Sequence, residues 1–162
     1  MKHWDEIYAY VQDLEIIDSH EHLPYREDAR EKHTDVLEEY LIHYFDRDLV
    51  SAGLTPADML RVKDHNLPLM ARWRLVEPYW LNARHTGYGR ALQISAKELY
   101  GIEQISGDTI MALDEKFQRS LQPGHFQKVL KEKCRIKASL LDCNLDCDQT
   151  FFKSVFRIDT LV

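Results

Sequence analysis

Cysteine is scarce in this chain. Cys134, Cys143 and Cys147 are an odd set of three, which excludes a disulfide framework and suits a reducing cytosol. Cys143 and Cys147 lack the second soft pair that a structural zinc site needs, so free thiols are expected. A basic excess is missing too. With 21 Lys and Arg against 27 Asp and Glu, the net charge of -6 argues against nucleic acid as a partner, because phosphate contact needs a basic face. Arg72 and Arg74 around Trp73 mix charge with an aromatic ring, but Glu77 follows and the segment reads as a solvated helix face. No stretch approaches the roughly 20 apolar residues of a membrane span. The start does not read as a leader peptide, since Asp5, Glu6 and Asp13 interrupt its apolar positions. Internal repeats and low-complexity linkers are absent. Ser19 lacks the flanking glycines of a nucleophile elbow. These absences leave one soluble, cytoplasmic globular domain whose 44% hydrophobic content is enough for a core.

What is present is mostly helical pattern between strand-like runs. Trp4, Ile7, Tyr8, Val11 and Leu14 recur at helical spacing, which predicts a helix over about 3–13. Leu14 to Ile17 then reads as a buried strand running into Asp18-Ser19-His20-Glu21-His22, and Pro24 ends it. Residues 34–133 read as nearly all helical. Thr34 is placed to cap a helix through Phe45, with Gly53 past its end, and Thr55-Pro56-Ala57-Asp58 is a start signal. A helix over Leu69 to His85 is expected to bend or break at Pro78. Gly87 and Gly89 punctuate, and helices follow over Arg90–Tyr100, Asp108–Leu121 and His125–Cys134. Strand character returns at Ile136–Asp142 and Phe151–Asp159. A closing strand with no helix to cover it predicts an incomplete sheet, since parallel sheets bury both faces.

The chemistry gathers where the first strand ends. Asp18, His20 and His22 share strand parity and would project into one space. Two imidazoles at i and i+2 suit one divalent ion, zinc foremost, and Asp18 suits hydrogen bonding to a ligand histidine or orienting a neighbour. Glu21 has the opposite parity. In a chain with eight histidines the pair is also open to an incidental reading, as part of a helical binding or structural module. Arg157 and Asp159 share parity near the last strand's end and suit either a carboxylate clamp or a structural pair. Asp142 ends the second strand. Arg84, Tyr88 and Arg90 could form a polar loop over a site, though the segment has too few glycines for a phosphate fingerprint. Trp73, Tyr79 and Trp80 read as packing residues, and His43, His65, His85 and His125 as surface or packing histidines.

Ile16-Ile17-Asp18-Ser19-His20-Glu21-His22-Leu23 resembles the strand-1 signature of the amidohydrolase superfamily, Asp-x-His-x-His after apolar residues. The long helical block, Phe45 to Leu54 and Trp73 to Trp80 are similar to the uronate isomerase branch, which inserts helices after strand 1. The resemblance implies an α/β fold, the N-terminal part of a (β/α)₈ TIM barrel with about three strands and a helical insertion over about 34–133. It implies His20 and His22 as metal ligands and Asp18 as the signature's non-ligand acid. It implies hydrolysis of an amide, ester or lactone-type bond in a small molecule, or isomerisation of a sugar acid. Phe152 to Asp159 would be the third barrel strand. The family's ligands from later strands have no counterpart here. The expectation is therefore an incomplete barrel domain over 1–162 that binds metal weakly, catalyses little alone, and pairs with another copy or a complementing C-terminal chain.

Overall fold

The computed structural model describes residues 2–41, 44–142 and 150–155. Cys143, Cys147, His43, Arg157 and Asp159 lie outside the described residues. The chain is α/β and divides into two compact units, one from the residues up to Arg30 with those from Gln122 onward, the other Glu31–Leu121.

The first unit carries the sheet. Helix α1 (Lys2–Asp13) leads into strand β1 (Ile16–Glu21), and strands β2 (Ile136–Leu141) and β3 (Phe152–Ser154) follow far along the chain. The three are parallel, in the order β1-β2-β3, and form an open sheet; no barrel is shown. Alternation along β2 sends Ser139 and Leu141 inward, and Leu141 meets Phe152 in a small core with Phe126, Leu130 and Phe151 packed against it. Before β2 the expected helix is present but wound as a π-helix over Gln127–Lys133. Its entry is held by Glu27, whose carboxylate accepts from the backbone N–H of Gly124 (2.8 Å) and Phe126 (2.8 Å). The expectation that β1 is buried is corrected. Ile16 and Ile17 are 48% and 56% exposed, and the apolar stripe of α1 from Trp4 to Leu14 is exposed as well. The reason is coverage: the apolar side chains of this unit gather around Leu141 and Phe152 on β2 and β3, and among the described residues nothing covers Ile16 and Ile17.

The second unit is helical: α2 (Val36–Leu41), α3 (Phe45–Ser51), α4 (Pro56–Val62), α5 (Leu69–Ala83), α6 (Gly87–Tyr100) and α7 (Ile110–Ser120). They enclose a core in which Leu49, Leu54, Val62, Trp73, Val76 and Leu113 are almost wholly buried. The helix expected from Thr34 through Phe45 is instead two helices. The cap is Asp35, whose Oδ1 accepts from the N–H of Leu37 (3.0 Å) and Glu38 (3.1 Å). The start at Thr55 is as read, with Thr55 Oγ1 accepting from Asp58 N at 3.1 Å. Gly53, at φ +114°, closes α3 in a Schellman turn, with Gly53 N–H on Val50 O and Leu54 N–H on Leu49 O. Leu49 and Leu54, the apolar pair of that motif, are both buried.

Pro78 does not break α5. A proline inside a helix costs about 3 kcal/mol, and fully burying side chains the size of Val76 and Trp80 contributes roughly 2–3 kcal/mol each, so packing wins. Gly87 and Gly89 do not punctuate either; both lie in α6, which Thr86 caps by accepting from Gly89 N at 3.1 Å. Glycine is required at 89 by close approach, since a Cβ there would stand 2.6 Å from Ala83 O. Arg72 is buried at 3% exposure rather than solvated, whereas Arg74 is exposed.

Candidate metal centre

The sheet positions the histidine pair. Asp18 is level with Ser139, and Glu21 with Leu141, so β1 takes three steps where β2 takes two. The extra residue is a bulge, and bulges bend a strand and re-aim its side chains. His20 and His22 leave the chain at this bend and just after it. Their Nε2 atoms are 2.8 Å apart, with the rings edge to face at 4.5 Å between centroids. One ring must donate and the other accept, so the two Nε2 atoms face each other, and a metal would take the place of that hydrogen bond.

Three carboxylates surround the pair and have different tasks. Asp18 does not reach an imidazole. Its Oδ1 accepts from the backbone N–H of His20 (3.1 Å), and its Oδ2 accepts from the hydroxyl of Ser139 (2.9 Å), which is buried. It therefore orients the His20 backbone against β2. Glu21 is turned onto the following chain, with Oε1 accepting from the N–H of His22 (2.7 Å) and Leu23 (3.1 Å). Asp142 stands behind His22, its Oδ2 3.9 Å from Nδ1, where β2 ends and Asp142 N bonds to Glu21 O at 3.0 Å. A ligand histidine commonly turns its second ring nitrogen to a carboxylate, and Asp142 is placed for that.

The donor chemistry suits half of a metal site. Two imidazole nitrogens on a tetrahedral zinc stand about 3.3 Å apart at Zn–N distances near 2.0–2.1 Å. The observed 2.8 Å is shorter by about half an ångström, a gap that side-chain rotation at exposed positions spans. Among the described residues no group of three or more His, Cys, Asp or Glu is placed to hold a metal ion. The pair thus supplies two donors of neutral type, and further donors would have to come from elsewhere.

Arg84, Tyr88 and His65, also singled out by sequence, belong to the helical unit. Arg84 donates to His85 Nε2 at 3.3 Å, and Tyr88 stacks on Tyr44 at 5.5 Å, both within the helical unit. His65 lies between Glu38 Oε2 (2.8 Å) and Asp35 Oδ2 (3.5 Å). Ser139 was not foreseen. Its signal was a hydroxyl among the apolar residues of Ile136–Leu141, at an inward position. No family model matches the chain, and no curated protein is significantly similar to it. Among the described residues no helix is long and apolar enough to cross a membrane.

Proposed function

We infer that this chain is the metal-binding N-terminal part of a (β/α)₈ hydrolase that resembles the amidohydrolase superfamily. The observation that carries the reading is the convergence of two imidazole Nε2 atoms at the end of a parallel strand, with a carboxylate behind one of them. That end of a strand is where barrel enzymes keep their reactive groups. His20 and His22 would hold a divalent ion, zinc foremost. Such an ion, when bound, supplies Lewis acidity and a water of lowered pKa, which suits hydrolysis of an amide, ester or lactone-type bond in a small cytoplasmic substrate. Asp142, 3.9 Å from Nδ1, would close on the His22 ring and orient it when the ring is a ligand. Asp18 and Ser139 hold the His20 backbone on β2, so that the second ring stays in line with the first. The inserted helical unit between β1 and β2 favours a second reading, a sugar-acid isomerase similar to uronate isomerases. Further strands, from another copy or a complementing chain, would provide the remaining ligands.

The test is metal uptake, read by the visible spectrum of Co²⁺ titrated into the purified chain. Four-ligand zinc sites bind with about 10–16 kcal/mol, so two imidazoles should give roughly micromolar to sub-millimolar dissociation constants. His20→Ala with His22→Ala should abolish the spectrum and leave the far-ultraviolet circular dichroism unchanged. Equal uptake by the double variant would sink the metal reading.

A further inference from the structure

The sheet unit contains a cleft that the histidine pair does not use. It measures about 200 Å³ and lies among the π-helix, the start of β3 and Tyr25. Its walls are aromatic: Tyr25, Phe126, Phe151 and Phe152, joined by Leu130. The rings meet edge to face, Phe126 on Phe152 at 6.2 Å and Phe151 on Phe152 at 4.9 Å. An apolar cavity of about 150 Å³ is enough to take up benzene, so this one has room for a single ring with a small substituent. Lys131 is the only charged side chain that lines the cleft among the described residues, and no carboxylate lines it. Its ammonium lies 5.0 Å above the Phe151 ring, at the solvent side of the apolar floor. Gln127 and Thr150 add neutral hydrogen-bonding groups.

We propose that this cleft binds a small carboxylate built on one aromatic ring, the ring seated among the phenylalanines and the carboxylate paired with Lys131. A ring fits the edge-to-face walls through its own edge and face. An anion fits because the one charged side chain that lines the cleft among the described residues is positive, and Arg30 lies over the Phe126 ring at 5.7 Å. A cationic ring would face Lys131, and Glu132, which accepts from Gln127 at 3.3 Å, does not line the cleft. The inference does not rest on the metal reading, since none of these residues touches His20 or His22 in the contacts described above.

The experiment is a ¹⁹F NMR titration of the full chain with 4-fluorobenzoate, 4-fluorobenzyl alcohol and 4-fluorobenzylammonium. A ligand of this size should bind with a dissociation constant on the order of 1 mM or tighter. Benzoate should bind about three-fold tighter than the alcohol, the scale of an exposed ion pair, and the ammonium weakest. Lys131→Met, at an exposed position, should bring benzoate and alcohol level. Gln127→Trp, also exposed, should weaken all three by filling the mouth. Circular dichroism confirms that each variant is folded. Absence of binding to the folded wild type overturns the proposal. So does preference for the ammonium, which would make the aromatic walls a cation cage, or a benzoate preference that survives Lys131→Met.

Discussion

The guanidinium of Arg72 donates to the carbonyl oxygens of Val62 and Leu67 and to the carboxylate of Asp35. Asp35 in turn caps α2 through its other oxygen. One buried ion pair therefore joins the start of α2, the end of α4 and the first turn of α5. Breaking a buried pair on one side costs about 3–5 kcal/mol, because the surviving charge has lost its partner but not its burial. Arg72→Met should lower the stability of the helical unit by about 3 kcal/mol in urea denaturation. A loss below about 1 kcal/mol would show that water reaches Asp35 and that the pair is not isolated. In sequence Arg72 reads as a surface residue beside Trp73. The misreading has a simple origin: its partner is 37 residues away, and local spacing carries no trace of it. Asp142 and Ser139 illustrate the same limit at the histidine pair. Their importance depends on pairing between β1 and β2, more than 110 residues apart in the chain.

At the scale of elements, local signals suffice where a residue caps a helix through backbone groups within a few positions of itself. Thr55 over α4 and Gly101 at φ +64° after α6 are such cases. They find the helix over 127–133 but carry no trace of a capping group that is distant in the chain. The π-helix starts on Glu27, roughly a hundred residues earlier, and its sequence shows only an ordinary helix-forming run. Partial burial pushes the Glu27 carboxyl up. The backbone N–H groups of Gly124, Phe126 and His125 and the charge of Arg30 together outweigh this, and the net direction is down from the usual value of 4.5. A carboxylate with a depressed folded pKa binds fewer protons folded than unfolded. Its stabilisation is therefore complete above pH 4.5 and is lost as pH falls through the lower, folded value. The thermal midpoint of the sheet unit should fall with pH in that acid window and be flatter there in Glu27→Gln. Equal slopes for the two proteins would show that the cap does not couple to protonation.

At the scale of the whole molecule, the division into two units has a direct consequence. The helical unit has its own core, with Leu49, Val62, Val76, Ile110 and Leu113 all at 1% exposure or less. A chain of residues 31–121 should therefore fold alone, giving helical circular dichroism and one cooperative thermal transition. A gradual, non-cooperative loss of signal would show that the unit depends on the sheet. The sheet unit differs. Among the described residues its buried core residues are Leu141 and Phe152, while Trp4, Ile7, Tyr8, Ile16 and Ile17 stay more than 45% exposed.

The sequence by itself determined the order of elements, the strand character of the runs at 16–21 and 136–141, and the caps made by neighbouring residues. All of these follow from side chains acting over four residues or fewer, where spacing and backbone geometry are enough. Tertiary structure alone decided that β1 is an exposed edge, that Pro78 stays inside a helix, that Gly89 is needed for close approach to Ala83, and that Asp142 stands behind His22 while Asp18 faces Ser139. Each of these turns on contacts or coverage set by how elements pack together, which local spacing along the chain does not encode.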